Sequence, residues 1–221
     1  MATLWAVIIT IVPMVAAFAA GDLGFFVAKL PDGKLDLNAF EWVIHPLEIA
    51  LVLLVASRFR LNPIEVLAFR RPARMRRVVA IALAVIVGCI VVFLVIANFV
   101  GDDFLNDPNQ QTNEEIIRRT PLIGNLVMAG LIAPVAEEML YRGFLLLSFF
   151  NSRLWFWGAA AISSLLFAFM HNPTSLNLLF HAPYFIMALG FAVALRYTGS
   201  LWVPIGLHVL KNSIAVLLVS M

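Results

Sequence analysis

Residues 134–147 read PVAEEMLYRGFLLL. Two adjacent glutamates, Glu137 and Glu138, and Arg142 interrupt a segment that is otherwise apolar from about 121 to 147. A charged side chain at the middle of a membrane-spanning helix costs about 2.5–3.5 kcal/mol even on a lenient scale. Three such groups within two turns mark a helix whose polar face looks into a bundle and carries a function. Glu138 and Arg142 are four apart, so they share a helical face and can pair. Glu137 is turned from Glu138 by about 100°. The arginine can therefore hold one carboxylate while the other points into a separate cavity. Two adjacent carboxylates repel when both are ionised, and a glutamate so placed suits proton transfer. Pro134 frees a backbone carbonyl and loosens the helix just before these residues. The plainer alternative is a salt-bridged helix contact that only fixes packing.

Outward from this stretch, the chain is apolar throughout. Of 221 residues 62% are hydrophobic and 13% charged, where a soluble domain carries about a quarter charged. Mean hydropathy is +0.97. The expected fold is all-α: a polytopic transmembrane bundle enclosing a polar intramembrane cavity, with about seven spans of roughly membrane length. These run near 3–20, 42–57, 78–100, 121–147, 155–171, 177–196 and 203–220. The first lacks a basic n-region and is followed by more spans, so it is expected to be a mature helix and not a signal peptide. Residues 1–120 form N-terminal transmembrane helices and 121–221 a helical core with the chemistry, in one integrated membrane domain. The net charge of +2 gives no reason to expect nucleic-acid binding. A single cysteine, Cys89, excludes an intrachain disulfide and argues against a Cys/His metal site.

Loop charge sets an expected orientation. Residues 58–77 hold Arg58, Arg60, Arg70, Arg71, Arg74, Arg76 and Arg77 against one acid, Glu65. Loop 21–41 has only Lys29 and Lys34 as basic residues, and loop 101–120 sets Arg118 and Arg119 beside five acids. The Arg-rich loop is expected on the cytoplasmic side, against anionic headgroups, with loop 101–120 opposite. Arg153 and Arg196 then also fall inside.

Two further polar sets lie in later spans. The fifth ends FAFMHNP, placing Phe167 and His171 on one face, with His171 near a helix end before Pro173. A histidine there is either interfacial or part of a site. The last span contains HVLKN, with His208 and Asn212 four apart. Both can donate hydrogen bonds, and two converging donors in a low-dielectric bundle suit a developing oxyanion. Interhelical hydrogen bonding is the alternative for the same pair. Lys211 can snorkel or line the polar cavity. His45 and Glu48 in the second span read first as a packing pair, and His181 before Pro183 as a structural or supporting group.

In this order, EExxxR at Glu137–Arg142, FxxxH at Phe167–His171 and HxxxN at His208–Asn212 resemble the CPBP family, the CAAX proteases and bacteriocin-processing enzymes, also called the ABI domain. GFAVALRYTGSLWVPIGLHVLKN resembles that family's approach to its last motif. The resemblance covers about residues 121–216, departs at no motif position, and leaves 1–120 without a signature. It implies a helical intramembrane endopeptidase; eukaryotic members trim the C-terminal residues of prenylated CaaX proteins. Carried over, Glu137 and His171 bind and activate the attacking water, and His208 and Asn212 form the oxyanion hole. Glu138 and Arg142 support the first glutamate. No cofactor is expected: a Glu–His pair is a poor zinc site, since zinc takes three protein ligands plus water. Glu137, His171 and His208 could supply three, which keeps zinc as the alternative. Expected partners are membrane lipid and a peptide or membrane-protein substrate: a prenylated protein, a leader peptide or a membrane segment. The expected location is a cell membrane, the inner one in a bacterium.

Two rivals use the same residues. One is a non-catalytic immunity or scaffold protein of this fold. The other is an ion-coupled transporter, against which the chain shows no repeated pair of broken helices. One geometric difficulty also stands. Counted from Ser152, Glu137 lies 15 residues back and His171 19 forward. On ideal helices rising about 1.5 Å per residue, the two would differ in depth by several ångströms. A bend is expected at Arg142–Gly143, with 144–150 lying along the interface.

Overall fold

A computed structural model describes residues 37–58, 68–69, 71–72, 74–100, 108–146, 155–171 and 177–221. Among these the protein is all-helical. We number the helices α1 (Leu37–Arg58), α2 (Met75–Val100), α3 (Pro108–Arg119), α4 (Leu122–Leu146), α5 (Phe156–His171), α6 (Leu178–Thr198) and α7 (Trp202–Ser220). Four of them, α2, α4, α6 and α7, are long and apolar enough to cross a membrane. The apolar parts of α1 and α5, Trp42–Leu54 and Phe156–His171, are shorter. The protein is thus an integral, multi-pass membrane protein. Seven full spans are not established, and the expected first span, 3–20, lies outside the described residues.

The expected loop at 101–120 is corrected over its second half. Residues 108–119 form α3, which opens on Pro108 and ends on Arg118 and Arg119. Proline at a first helical position and cations in the last turn are what a short polar helix needs. Asn125 secures its end, donating from Nδ2 to the carbonyls of Ile117 and Thr120 at 2.8 and 3.1 Å.

The centre of the bundle is α4. It is α-helical over Leu122–Val127, π-helical over Met128–Ile132, α-helical over Ala133–Glu138 and π-helical again over Met139–Leu146. Pro134, in the first turn after the first π segment, cannot donate a backbone hydrogen bond to residue 130, and the wider winding upstream accommodates that gap. Around α4, α1 packs along 128–146, α5 along 139–146, and α7 along 122–138. Helix α6 lies between α5 and α2, and α3 rests on α7.

Small residues set two close approaches. A Cβ on Gly190 would meet Val85 Cγ1 at 2.9 Å and Cys89 Sγ at 3.0 Å, so α2 and α6 touch there. On Gly130 it would meet Ser213 Oγ at 3.0 Å. The TGSLW stretch turns α6 into α7: Gly199, at φ 64°, caps α6 by donating to Leu195 O at 2.8 Å. Leu201 N donates to Ala68 O at 3.0 Å. That bond places residue 68 of the Arg-rich connection at the same end of the bundle as the α6–α7 turn, as the charge-based map requires.

Candidate active site

The site is assembled from α4, α5 and α7, with α6 behind it. Glu137 and Glu138 come at the end of the central α-helical part of α4, where Glu138 is fully buried and Glu137 only partly. Glu138 and Arg142 pair as their spacing predicts, Oε1 to Nη1 at 3.1 Å, with both side chains at most 1% exposed. The guanidinium also lies over the rings of Phe167 and Phe191, 4.8 and 5.4 Å from their centroids. Aromatic faces offset part of the cost of burying that charge.

His208 of α7 joins the two glutamates. Its Nδ1–H donates to Glu138 Oε1 at 3.1 Å, which turns Nε2 toward Glu137 Oε2, 3.6 Å away. The Phe191 ring, 4.9 Å off and tilted by 32°, backs the imidazole. The two carboxylates therefore do not occupy separate cavities as expected. They address opposite nitrogens of one ring, because His208 sits between the directions that the roughly 100° step from residue 137 to 138 creates.

His171 closes α5 and faces the same centre. Its Nδ1–H donates to Phe167 O at 2.9 Å, the one-turn spacing of FxxxH, so Nε2 is the nitrogen that looks outward from the helix. That atom lies 3.9 Å from Glu137 Oε1. The Phe167 and Tyr184 rings flank the imidazole at 4.2 and 4.7 Å. The depth difficulty disappears without the bend. Residues 139–146 stay helical, and Phe144, Leu145 and Leu146 are buried in the core, not laid along an interface. Ser163 Oγ of α5 donates to Tyr141 O at 2.7 Å and holds the π segment against its neighbour.

Asn212 lies one turn beyond His208 but is not simply a second free donor. Its Nδ2 donates to Ala129 O at 2.9 Å, inside the first π segment. One amide N–H thus ties α7 to α4, and the same nitrogen carries another. Lys211 is exposed, yet its charge acts on Glu137 and on both histidines of the site. His181 stands apart: it is buried, and its Nδ1–H donates to Ala168 O at 3.2 Å, joining α6 to α5.

Glu137 Oε2 is buried, and no described residue donates a hydrogen bond to it. Among the described residues, no group of three or more His, Cys, Asp or Glu side chains is arranged to hold a metal ion. Sequence spacing alone did not point to Ser163, Phe191 or Tyr184, because apolar and hydroxyl residues carry no signal of which neighbour they will meet. His45 and Glu48 did carry one, a charged i,i+3 pair inside an apolar helix.

Residues 119–214 match the family model described as type II CAAX prenyl endopeptidase Rce1-like. The chain is 28% identical over 112 residues to a putative membrane peptidase, YdiL, of Bacillus subtilis, covering 50% of this chain and 42% of that protein. It is 30% identical over 132 residues to the membrane-embedded CAAX protease MroQ of Staphylococcus aureus, covering 58% and 51%. An uncharacterized 24.3 kDa protein of Escherichia coli is 35% identical over 97 residues, 43% of this chain and 44% of its own. The chain spans about half the length of these relatives. No solved structure matches it significantly.

Proposed function

We propose that this chain, which over residues 119–214 is similar to the type II CAAX prenyl endopeptidase Rce1-like family, is an intramembrane endopeptidase in which a glutamate activates the attacking water. The observation that carries this reading is the setting of Glu137. Its two oxygens face Nε2 of His171 at 3.9 Å and Nε2 of His208 at 3.6 Å, from two other helices. Those distances are too long for direct hydrogen bonds and leave each group able to bond a shared water.

In the proposed reaction Glu137 takes a proton from water as the water oxygen adds to the scissile carbonyl carbon. His171, with Nδ1–H committed to Phe167 O, accepts the water's second hydrogen at Nε2 and orients it. The negative charge on the carbonyl oxygen is met by Asn212 through its remaining amide N–H and by His208 through Nε2–H. Because His208 Nδ1–H is committed to Glu138, Nε2 donates only from the doubly protonated ring. Glu138, itself held by Arg142, thus positions the donor. The C–N bond then breaks, and the proton on Glu137 passes to the leaving amine. No metal enters these steps. The substrate is proposed to be a membrane-associated polypeptide: a prenylated protein, a leader peptide or a membrane segment.

The test is cleavage of such peptides by the full chain in lipid, with wild type beside Glu137→Gln. Glutamine keeps size and hydrogen bonding but cannot take the proton, so cleavage should vanish while the fold persists. Substantial turnover by folded Glu137→Gln would remove Glu137 as the base. Activity should survive exhaustive chelation; loss on chelation, restored by zinc alone, would overturn the metal-free mechanism.

A further inference from the structure

All three motifs lie beyond residue 119, yet the polar surroundings of Glu137 do not. His45 and Glu48, three apart on α1, are joined Nδ1 to Oε2 at 2.8 Å, with side chains only 13% and 9% exposed. A carboxylate–imidazole pair is costly to bury unless its surroundings use it. These surroundings are the segment that carries the proposed base. Helix α1 packs along 133–138 and 139–146, and Val52, one turn beyond Glu48, is buried in the same core as Leu140 and Tyr141. The charges of His45 and Glu48 both act on Glu137, His45 more strongly, and Glu48 acts on Tyr141 as well. Among the described residues, the other charged or titratable groups around Glu137 are Glu138, Tyr141 and Arg142 on α4, His171 on α5, and His208 and Lys211 on α7. Among the described residues, the α1 pair adds a helix face to this surround that the motifs do not supply.

We propose that His45, oriented by Glu48, is a positioning residue for Glu137, so that the catalytic centre is built from both halves of the chain. This rests on the endopeptidase reading. Glu48 accepts His45 Nδ1–H, which fixes the ring plane and directs Nε2 away from Glu48. The imidazole then bears on the Glu137 carboxylate from α1, a helix other than those that carry His171 and His208. Its role is to fix the carboxylate's orientation and electrostatic setting, without touching substrate.

The experiment has two arms, both on the full chain in lipid. In the first, kcat, KM and the pH–rate profile are measured for His45→Gln, Glu48→Gln and the double variant. Each single change should lower kcat about tenfold or more with KM little altered, since misplacing a reacting group can cost up to about a hundredfold. The pH–rate profile should move as well, and the double variant should lose far less than the product of the two singles. A wild-type kcat and pH profile in either single variant overturns the proposal, as does a raised KM alone, which would make the pair a substrate wall.

The second arm reads no activity. The His45 ring titration, followed by nitrogen NMR of labelled imidazoles, should differ between wild type and Glu137→Gln by about half a pH unit or more if the two groups couple. An unchanged titration overturns the proposal even where cleavage is intact. If the titrations differ but wild type cleaves no peptide, His45–Glu137 coupling is supported and the peptidase reading fails.

Discussion

Over their membrane-length parts, α2 and α4 each run 25 residues, Met75–Phe99 and Leu122–Leu146, and they solve the membrane differently. Beyond Arg77, α2 carries no charge, is α-helical throughout, and buries one described side chain, Val85. It meets the bundle along a narrow strip where Gly190 of α6 lets it close in. Helix α4 buries every side chain from Glu138 to Leu146 and changes its winding three times. A uniform helix needs only greasy sides, because lipid is satisfied by any apolar face. A helix that must present two carboxylates to one imidazole has to depart from uniformity, and its neighbours must meet each departure.

Four substitutions sharpen that contrast, in falling order of effect. Arg142→Ala leaves Glu138 buried without its cation and should cost about 3–5 kcal/mol. Melting temperature and yield in lipid should fall with activity; an unchanged melting temperature would mean that α4 tolerates charge as α2 tolerates methyl groups. Asn212→Ala should lower kcat about a hundredfold with KM little changed, the range for one oxyanion donor. A fallen melting temperature with kcat retained would instead reduce the amide to its tie with Ala129.

Gly190→Val drives a side chain into Val85 and Cys89 and should destabilise by about 1–3 kcal/mol, leaving turnover by the folded fraction unchanged. Adding Cys89→Ala should recover part of that loss, and no recovery would place the strain elsewhere. Leu94→Ala, on the 60% exposed lipid side of α2, should change stability by at most about 0.5 kcal/mol. A larger effect would mean that this face packs against something other than lipid.

Much of this was legible before any coordinates. Charged residues in greasy segments are costly, so Glu137, Glu138, Arg142, His171, His208 and Asn212 announced themselves, and the structure brings all but Asn212 into direct mutual reach. Apolar runs gave the positions of α2, α4, α5, α6 and α7 within a few residues. What could not be read was winding. Spacing arguments assume one helical repeat, and the π segments of α4 break that assumption on both sides of the glutamates. The separate cavities failed for another reason: His208 stands between the two carboxylates and meets one with each ring nitrogen. Helix α3 was missed because a polar segment of 12 residues lacks the apolar stripe by which helices are recognised. His45 and Glu48 were read as packing because nothing in α1 tells which helix its pair will face.

The two π segments also have a consequence for which changes the protein can absorb. A π turn is an α-helix carrying a surplus residue, lodged where a neighbour supplies the missing support. Removing one residue from 128–132 would let the chain relax to ordinary winding and swing everything on one side of it by about 100°. Glu137 and Glu138 would then turn away from His208, with every side chain in the site still present. The site is therefore guarded by residue count as much as by residue identity. Point substitutions around Ala129 should be forgiven far more often than a deletion of a single residue there.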